Sequence, residues 1–325
     1  MLTRIARGLY QLGGHVERAQ NLARILEVNH KMNLERSKRD DTNVWTAISE
    51  SFECDLDAPD ERGLYGMLVL SETHPYSVRH CIAQARDEGR AMRDHISEEM
   101  WLHLNRTHLE LASLSFEGVL ATGRSEFNRR IEIFADAFHG LAQHTMIRDS
   151  AWAFLQIGKL VERASMICRI LDIKRKSIAP ESEGEPVDVH QWQALLRSLS
   201  GYEPYRRAHD ARIVPSRVLE FVLKRPDYPR SLTCTLADLR EALDLVSGGH
   251  ALQAKLAHSV DLVLAELRHS NPEELLRSGG FEVELWHFDR RCREISDALA
   301  LAYFTSLRPA SAPILAAPGA GLVPQ

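Results

Sequence analysis

Two Glu-Arg dipeptides stand in the same frame of a repeated segment. Near its start the chain reads Gly13-Gly14-His15-Val16-Glu17-Arg18-Ala19, followed by Arg24-Ile25-Leu26. At an offset of 145 it reads Gly158-Lys159-Leu160-Val161-Glu162-Arg163-Ala164, followed by Arg169-Ile170-Leu171. Between residues 2–31 and 147–176, 11 of 30 ungapped positions are identical, which marks an internal duplication. A duplicated core needs only apolar residues, yet here a carboxylate and a guanidinium are repeated as well. Such groups do one of two things. They tie elements together as ion pairs, or they line a cleft where a carboxylate moves a proton and guanidiniums hold an anion.

Neighbouring helix residues point about 100° apart, so Glu17 does not face Arg18. Gly13 and Gly158 permit close backbone approach. If the two segments cross there, exchange pairs become available, Glu17 with Arg163 and Glu162 with Arg18. Arg24 and Arg169 each lie seven residues beyond a Glu, on the same side, and would add positive charge to the same groove. Arg148-Asp149, just before Trp152, reads either as solvated charges or as part of the groove wall. On the cleft reading Glu17 and Glu162 are the acid/base candidates, and Arg18, Arg163, Arg24, Arg169 and Arg148 bind an anionic or amino-acid-like ligand. On the structural reading the pairs fix the register of two halves.

Other chemistries find less support. Glu27-x-x-His30, Glu266-x-x-His269, Glu284-x-x-His287 and Asp136-x-x-His139 have the helical spacing of di-iron ligands. The repeat mate of the first is Asp172-x-x-Arg175, so that pattern is not duplicated, and no metal site is expected. The five cysteines (Cys54, Cys81, Cys168, Cys234, Cys292) are scattered without a CxxC and read as reduced, buried thiols. No GxSxG, P-loop or Gly-rich dinucleotide fingerprint occurs, so no cofactor is expected.

The elements that would position these residues are helices. Leu2, Ile5, Leu9, Leu12, Val16, Ala19, Ala23 and Leu26 recur at steps of 3 and 4, and Ile147, Ala151, Phe154, Ile157, Val161, Ala164, Cys168 and Leu171 repeat the stripe. Both segments are expected to be long helices buried along one side. Val44–Ser51 corresponds to Gln191–Ser198, with Trp45 and Trp192 at the same point. Pro75-Tyr76-Ser77 corresponds to Pro229-Arg230-Ser231, each a helix start with Ser placed to accept the first free N–H groups. Phe134-Ala135-Asp136-Ala137 corresponds to Ile295-Ser296-Asp297-Ala298. No alternating strand pattern is present.

The expectation is therefore an all-α chain. Two tandem pseudo-repeats of about 150 residues (1–146 and 147–308) pack as one helical body around two long central helices. Breaks are expected at Asp55–Gly63, Ile178–Val187 and Gly248-Gly249, and an Ala/Pro/Gly tail at 309–325 is expected to be disordered. With 44% hydrophobic and 26% charged residues the composition is that of a globular protein. A net charge of −5 argues against bulk binding to nucleic acid. No secretory leader and no run of 18 apolar residues is seen, so a cytoplasmic protein without a membrane span is expected.

The sequence resembles the alpha-E domain family of bacterial helical proteins, which carry a Glu-Arg motif. The resemblance rests on Met1–Ala6, Leu9–Ala19, Arg148–Phe154, Leu160–Ala164 and Asp227–Ser231, and extends over residues 1–306. It implies a neighbour or fusion partner of the circularly permuted ATP-grasp, carboxylate–amine ligase type. Transglutaminase-like and proteasome-like peptidases are further implied companions. The implied setting is ATP-dependent amide-bond formation on a peptide or amino-acid compound. Three readings remain open: an auxiliary, ligand-presenting subunit; an enzyme using Glu17 or Glu162; and a structural adaptor.

Overall fold

The computed structural model describes residues 3–35, 44–177, 186–210, 212–246, 251–277 and 281–304. The expected tail at 309–325 and the Gly248-Gly249 break lie outside them, as does most of the expected Ile178–Val187 break. Among the described residues every regular element is a helix: α1 (Thr3–Glu35), α2 (Val44–Ser51), α3 (Glu61–Tyr65), α4 (Val78–Ala91), α5 (Glu98–Ala112), α6 (Phe116–Thr122), α7 (Arg124–Thr145), α8 (Ser150–Lys176), α9 (Pro186–Ser198), α10 (Tyr202–Ala208), α11 (Pro215–Lys224), α12 (Leu232–Asp244), α13 (Ala251–His269), α14 (Pro272–Arg277) and α15 (Phe281–Tyr303), with short π and 3-10 turns at Gly66–Leu70 and Arg93–His95. The fold is all-α. None of these helices is long and apolar enough to cross a membrane.

Helices α1 and α8 pack against each other along the centre. Around them, α4 and α7 lie on α1, while α12 and α15 lie on α8. The short α2 leaves α1 to pack on α8, and α9 packs on both α8 and α1. The stripe residues Leu9, Leu12, Val16, Ala19, Ala23 and Leu26 are buried, as are Phe154, Ile157, Ala164, Cys168 and Leu171.

Burial differs from the sequence expectation in two respects. The two long helices are enclosed around most of their circumference rather than along one side, from Val16 to His30 and from Ala151 to Lys174. Charged residues there must consequently find partners inside the protein. Ile147 does not join the stripe, because the chain enters α8 only at Ser150 and leaves Ile147 81% exposed.

Local sequence sets the entries into these helices. Asp149 caps α8, its carboxylate accepting from the N–H groups of Ala151 and Trp152. Ser231 caps α12 as its position predicts, accepting from Cys234 N at 3.0 Å. Ser77 does not cap α4. Its hydroxyl donates instead to the Val69 carbonyl at 3.1 Å, tying the helix start to the preceding π turn.

Candidate functional site

Helices α1 and α8 meet at two glycines. A Cβ on Gly13 would overlap the carbonyl oxygen of Leu155 and lie 3.1 Å from its carbonyl carbon. A Cβ on Gly158 would overlap the Tyr10 carbonyl oxygen and lie 2.7 Å from its carbon. This backbone-to-backbone approach brings the residues one turn further on within reach of the opposite helix.

The exchange pairs form there. Arg163 grips Glu17 with two parallel bonds, Nε to Oε1 at 2.9 Å and Nη2 to Oε2 at 3.0 Å. Arg18 grips Glu162 in the same way, at 2.8 Å and 2.6 Å. Bidentate geometry of this kind is the strong form of the interaction. Each arginine's remaining Nη1 donates to a proline carbonyl, Arg18 to Pro75 at 3.2 Å and Arg163 to Pro229 at 3.3 Å. Those prolines stand at corresponding places in the sequence, just before α4 and α12. One arginine thus joins three segments: its own helix, the opposite long helix and a helix start.

The two pairs sit in different surroundings. The Glu17 side chain is fully buried. Besides Arg163 it receives Arg230 Nη1 at 3.3 Å and Asn21 Nδ2 at 3.1 Å, while His139 Nε2 lies 3.3 Å from Oε2. Burial alone would raise its pKa, but the guanidiniums of Arg163 and Arg230, with His139, overcome this and hold the carboxyl well below its usual range. Arg230 also donates to Asn21 Oδ1 and Gln20 Oε1, at 2.9 and 2.8 Å. Burial beside other cations brings Arg230 down to about 10 and Lys159 down to about 8. Burial also keeps His139 neutral, pushed down to about 4.

Glu162 is paired with Arg18 at the more open end, where the Arg18 side chain is 22% exposed. The Arg18 guanidinium also lies over the Tyr76 ring, 5.0 Å from its centroid. Burial opposes the charge of Arg18, and Glu162 more than offsets this, so its pKa is raised.

The remaining sequence candidates separate. Arg24 donates from Nε to Glu132 at 3.0 Å, while its Nη1 has no hydrogen-bond partner. Arg169 stacks on the rings of Tyr76 and Phe52, with 4.1 and 5.2 Å to their centroids, and donates to the Ser51 carbonyl and the Tyr76 hydroxyl. The two therefore do not share one groove. Arg148 is exposed, lies over Trp152 and donates to Gln143 at 2.8 Å rather than to Glu17 or Glu162. His30 of the Glu-x-x-His pattern in α1 contacts Glu61 at 2.5 Å, and Glu27 contacts Lys31 at 2.6 Å. Among the described residues no three His, Cys, Asp or Glu side chains cluster as metal ligands would.

Sequence reasoning missed Arg230 and His139 as neighbours of Glu17. Arg230 follows Pro229 at a recognised helix start, where an arginine in place of the corresponding Tyr76 was the available signal. His139 belonged to a carboxylate-x-x-His spacing considered only for metal.

Chemically, this arrangement suits holding charge better than exchanging it. A general acid or base needs access and a proton to trade. Glu17 is enclosed, held ionised and already met by donors on both oxygens.

A family described as a predicted alpha-helical domain with a conserved ER motif matches residues 1–304. Curated relatives include an uncharacterized protein of Mycobacterium bovis and one of Mycobacterium tuberculosis, each 24% identical over 313 residues. The alignments take in 87% of this chain and 34% of each relative, so the chain spans about a third of the length of the curated proteins it matches. No solved structure matches it. By its match over nearly the whole described length, this chain belongs to the Alpha-E family.

Proposed function

We propose that the chain is a non-catalytic helical subunit that works in the cytoplasm with a circularly permuted ATP-grasp carboxylate–amine ligase, in forming amide bonds on a peptide or amino-acid compound. In this reading the Glu-Arg crossing is the brace that sets its shape. One observation carries the brace: both Glu-Arg pairs are bidentate and satisfied within the protein, with Glu17 fully buried. The ligase partnership is what the resemblance to alpha-E proteins implies. It is supported by the mycobacterial relatives, in which the matching segment is about a third of a longer chain, as suits a module working beside other parts.

Co-purification with the ATP-grasp protein tests the partnership, with ATP turnover measured on candidate amino acids and peptides. The same assay with Glu17→Gln and Glu162→Gln tests the brace. Lowered stability, with binding of the ligase weakened alongside it, is the expected result. If both variants fold and bind the ligase while turnover collapses, the crossing is a working cleft instead. If no complex forms with the wild-type chain, the partnership falls.

A further inference from the structure

Further along α1 from the glycine crossing, α1, α7, α9 and α10 line a groove of about 390 Å³. Its size is that of a small-molecule site rather than a packing defect. Three cations and three carboxylates line it: Arg24, Lys31 and Arg197 against Glu27, Glu132 and Glu203.

These charges are not all used up among themselves. The Arg24 side chain is only 8% exposed and has a single carboxylate bond, Nε to Glu132 Oε2, leaving Nη1 without a partner. A desolvated guanidinium with spare N–H groups calls for an acceptor that can fill them, and a carboxylate does so in plane. Arg197 lies over the Tyr202 ring, 4.4 Å from its centroid, and makes no carboxylate ion pair among the described residues. Glu132, bound through one oxygen, keeps its Oε1 free of hydrogen bonds to the described residues. Burial raises its pKa despite Arg24, so it gains from a second cation. A purely anionic ligand such as a phosphate would meet three carboxylates in the same groove, which disfavours it.

We propose that this groove binds a small zwitterion of the amino-acid or short-peptide class, its carboxylate on Arg24 and Arg197 and its ammonium on Glu132. The proposal deepens the subunit reading by giving the ligand a place apart from the crossing. Because it concerns binding by this chain alone, its test needs no ligase, and its failure is distinct from failure of the partnership.

The test is calorimetric and NMR titration of the full chain with Ala-Ala, with its N-acetylated and C-amidated forms, and with the standard free L-amino acids. At least one zwitterion is expected to bind saturably in the millimolar range or tighter, with tenfold or greater loss when either end is capped. Glu132→Gln is expected to cause a similar loss. Since Glu132 is partly buried, Arg197→Gln at the rim provides the variant that keeps its fold, and it should weaken binding at least threefold. No saturable binding of any zwitterion overturns the proposal. So does equal binding of the N-acetylated form, which would make this a carboxylate site alone, or unchanged affinity in folded Arg197→Gln.

Discussion

Gly13 and Gly158 face each other's helices so closely that neither position has room for a side chain. A Cβ on either one collides with a backbone carbonyl of the opposite helix, which cannot rotate away as a side chain would. Overpacking a core costs about 1–3 kcal/mol and occasionally more, and backbone contact belongs at the upper end. Gly158→Ala and Gly13→Ala should each lower the free energy of unfolding by about 3 kcal/mol or more in chemical denaturation. Gly140→Ala, in α7 with nothing within 4 Å of the added carbon, is the control and should stabilise by about 0.5–1 kcal/mol.

The same crossing makes the two Glu-Arg pairs unequal. Removing the charge of Glu17 leaves Arg163 and Arg230 facing each other in a buried site, whereas removing that of Glu162 leaves one partly exposed guanidinium. Breaking a buried pair by deleting one partner costs about 3–5 kcal/mol. Glu17→Gln should fall in that range and Glu162→Gln below it. Adding Arg163→Met to Glu17→Gln should recover part of the loss, which a double-mutant cycle in urea would read.

Acid should destabilise the protein through groups buried in their deprotonated forms. His139 and His15 are pushed down by burial, to about 4 and about 3, so the unfolded chain binds more protons than the folded one as pH falls below about 6.5. Stability therefore falls with pH from that point. Glu17 adds to the same trend at lower pH, since its depressed pKa means its contribution is present above the ordinary Glu value and lost as pH falls toward its folded value. Stability measured from pH 7 to pH 4 should drop, and His139→Gln should flatten that slope by about 3 kcal/mol over the interval.

The crossing itself was legible because it rests on likeness. Equal spacing from glycine to Glu-Arg in two helices leaves few ways for the charges to meet, and the buried stripes carry the same period as the contacts. What could not be read rests on difference between the halves. Arg24 and Arg169 occupy corresponding positions, yet Arg24 meets Glu132, whereas the sequence counterpart of Glu132 on α15 is Arg293. A guanidinium cannot pair with another, so Arg293 turns to Asp289 at 2.7 Å and Arg169 stacks on Tyr76 and Phe52. Arg230 stands where the first copy of the motif has Tyr76, so the only signal that Glu17 would hold two arginines was a departure from the repeat, not the repeat itself. Ser77 and Ser231 share a motif and each donates its hydroxyl to a preceding carbonyl, of Val69 and of Arg225, but only Ser231 also accepts from the first turn of its helix.

That contrast between the serines gives the last prediction. Ser231→Ala removes a helix cap, about 1 kcal/mol, and also takes the hydroxyl donor from the Arg225 carbonyl, whereas Ser231→Gly should cost less by the cap's share, since glycine tolerates the uncapped end. Ser77→Ala removes no cap. It leaves the buried Val69 carbonyl without its hydroxyl donor, so its cost arises from an unsatisfied acceptor, about 1–3 kcal/mol, and Ser77→Gly should not relieve it. Ser77→Thr, which restores the donor, should. If urea denaturation gives the two serines the same Ala-to-Gly ordering, both act as caps and the different roles assigned to them are incorrect.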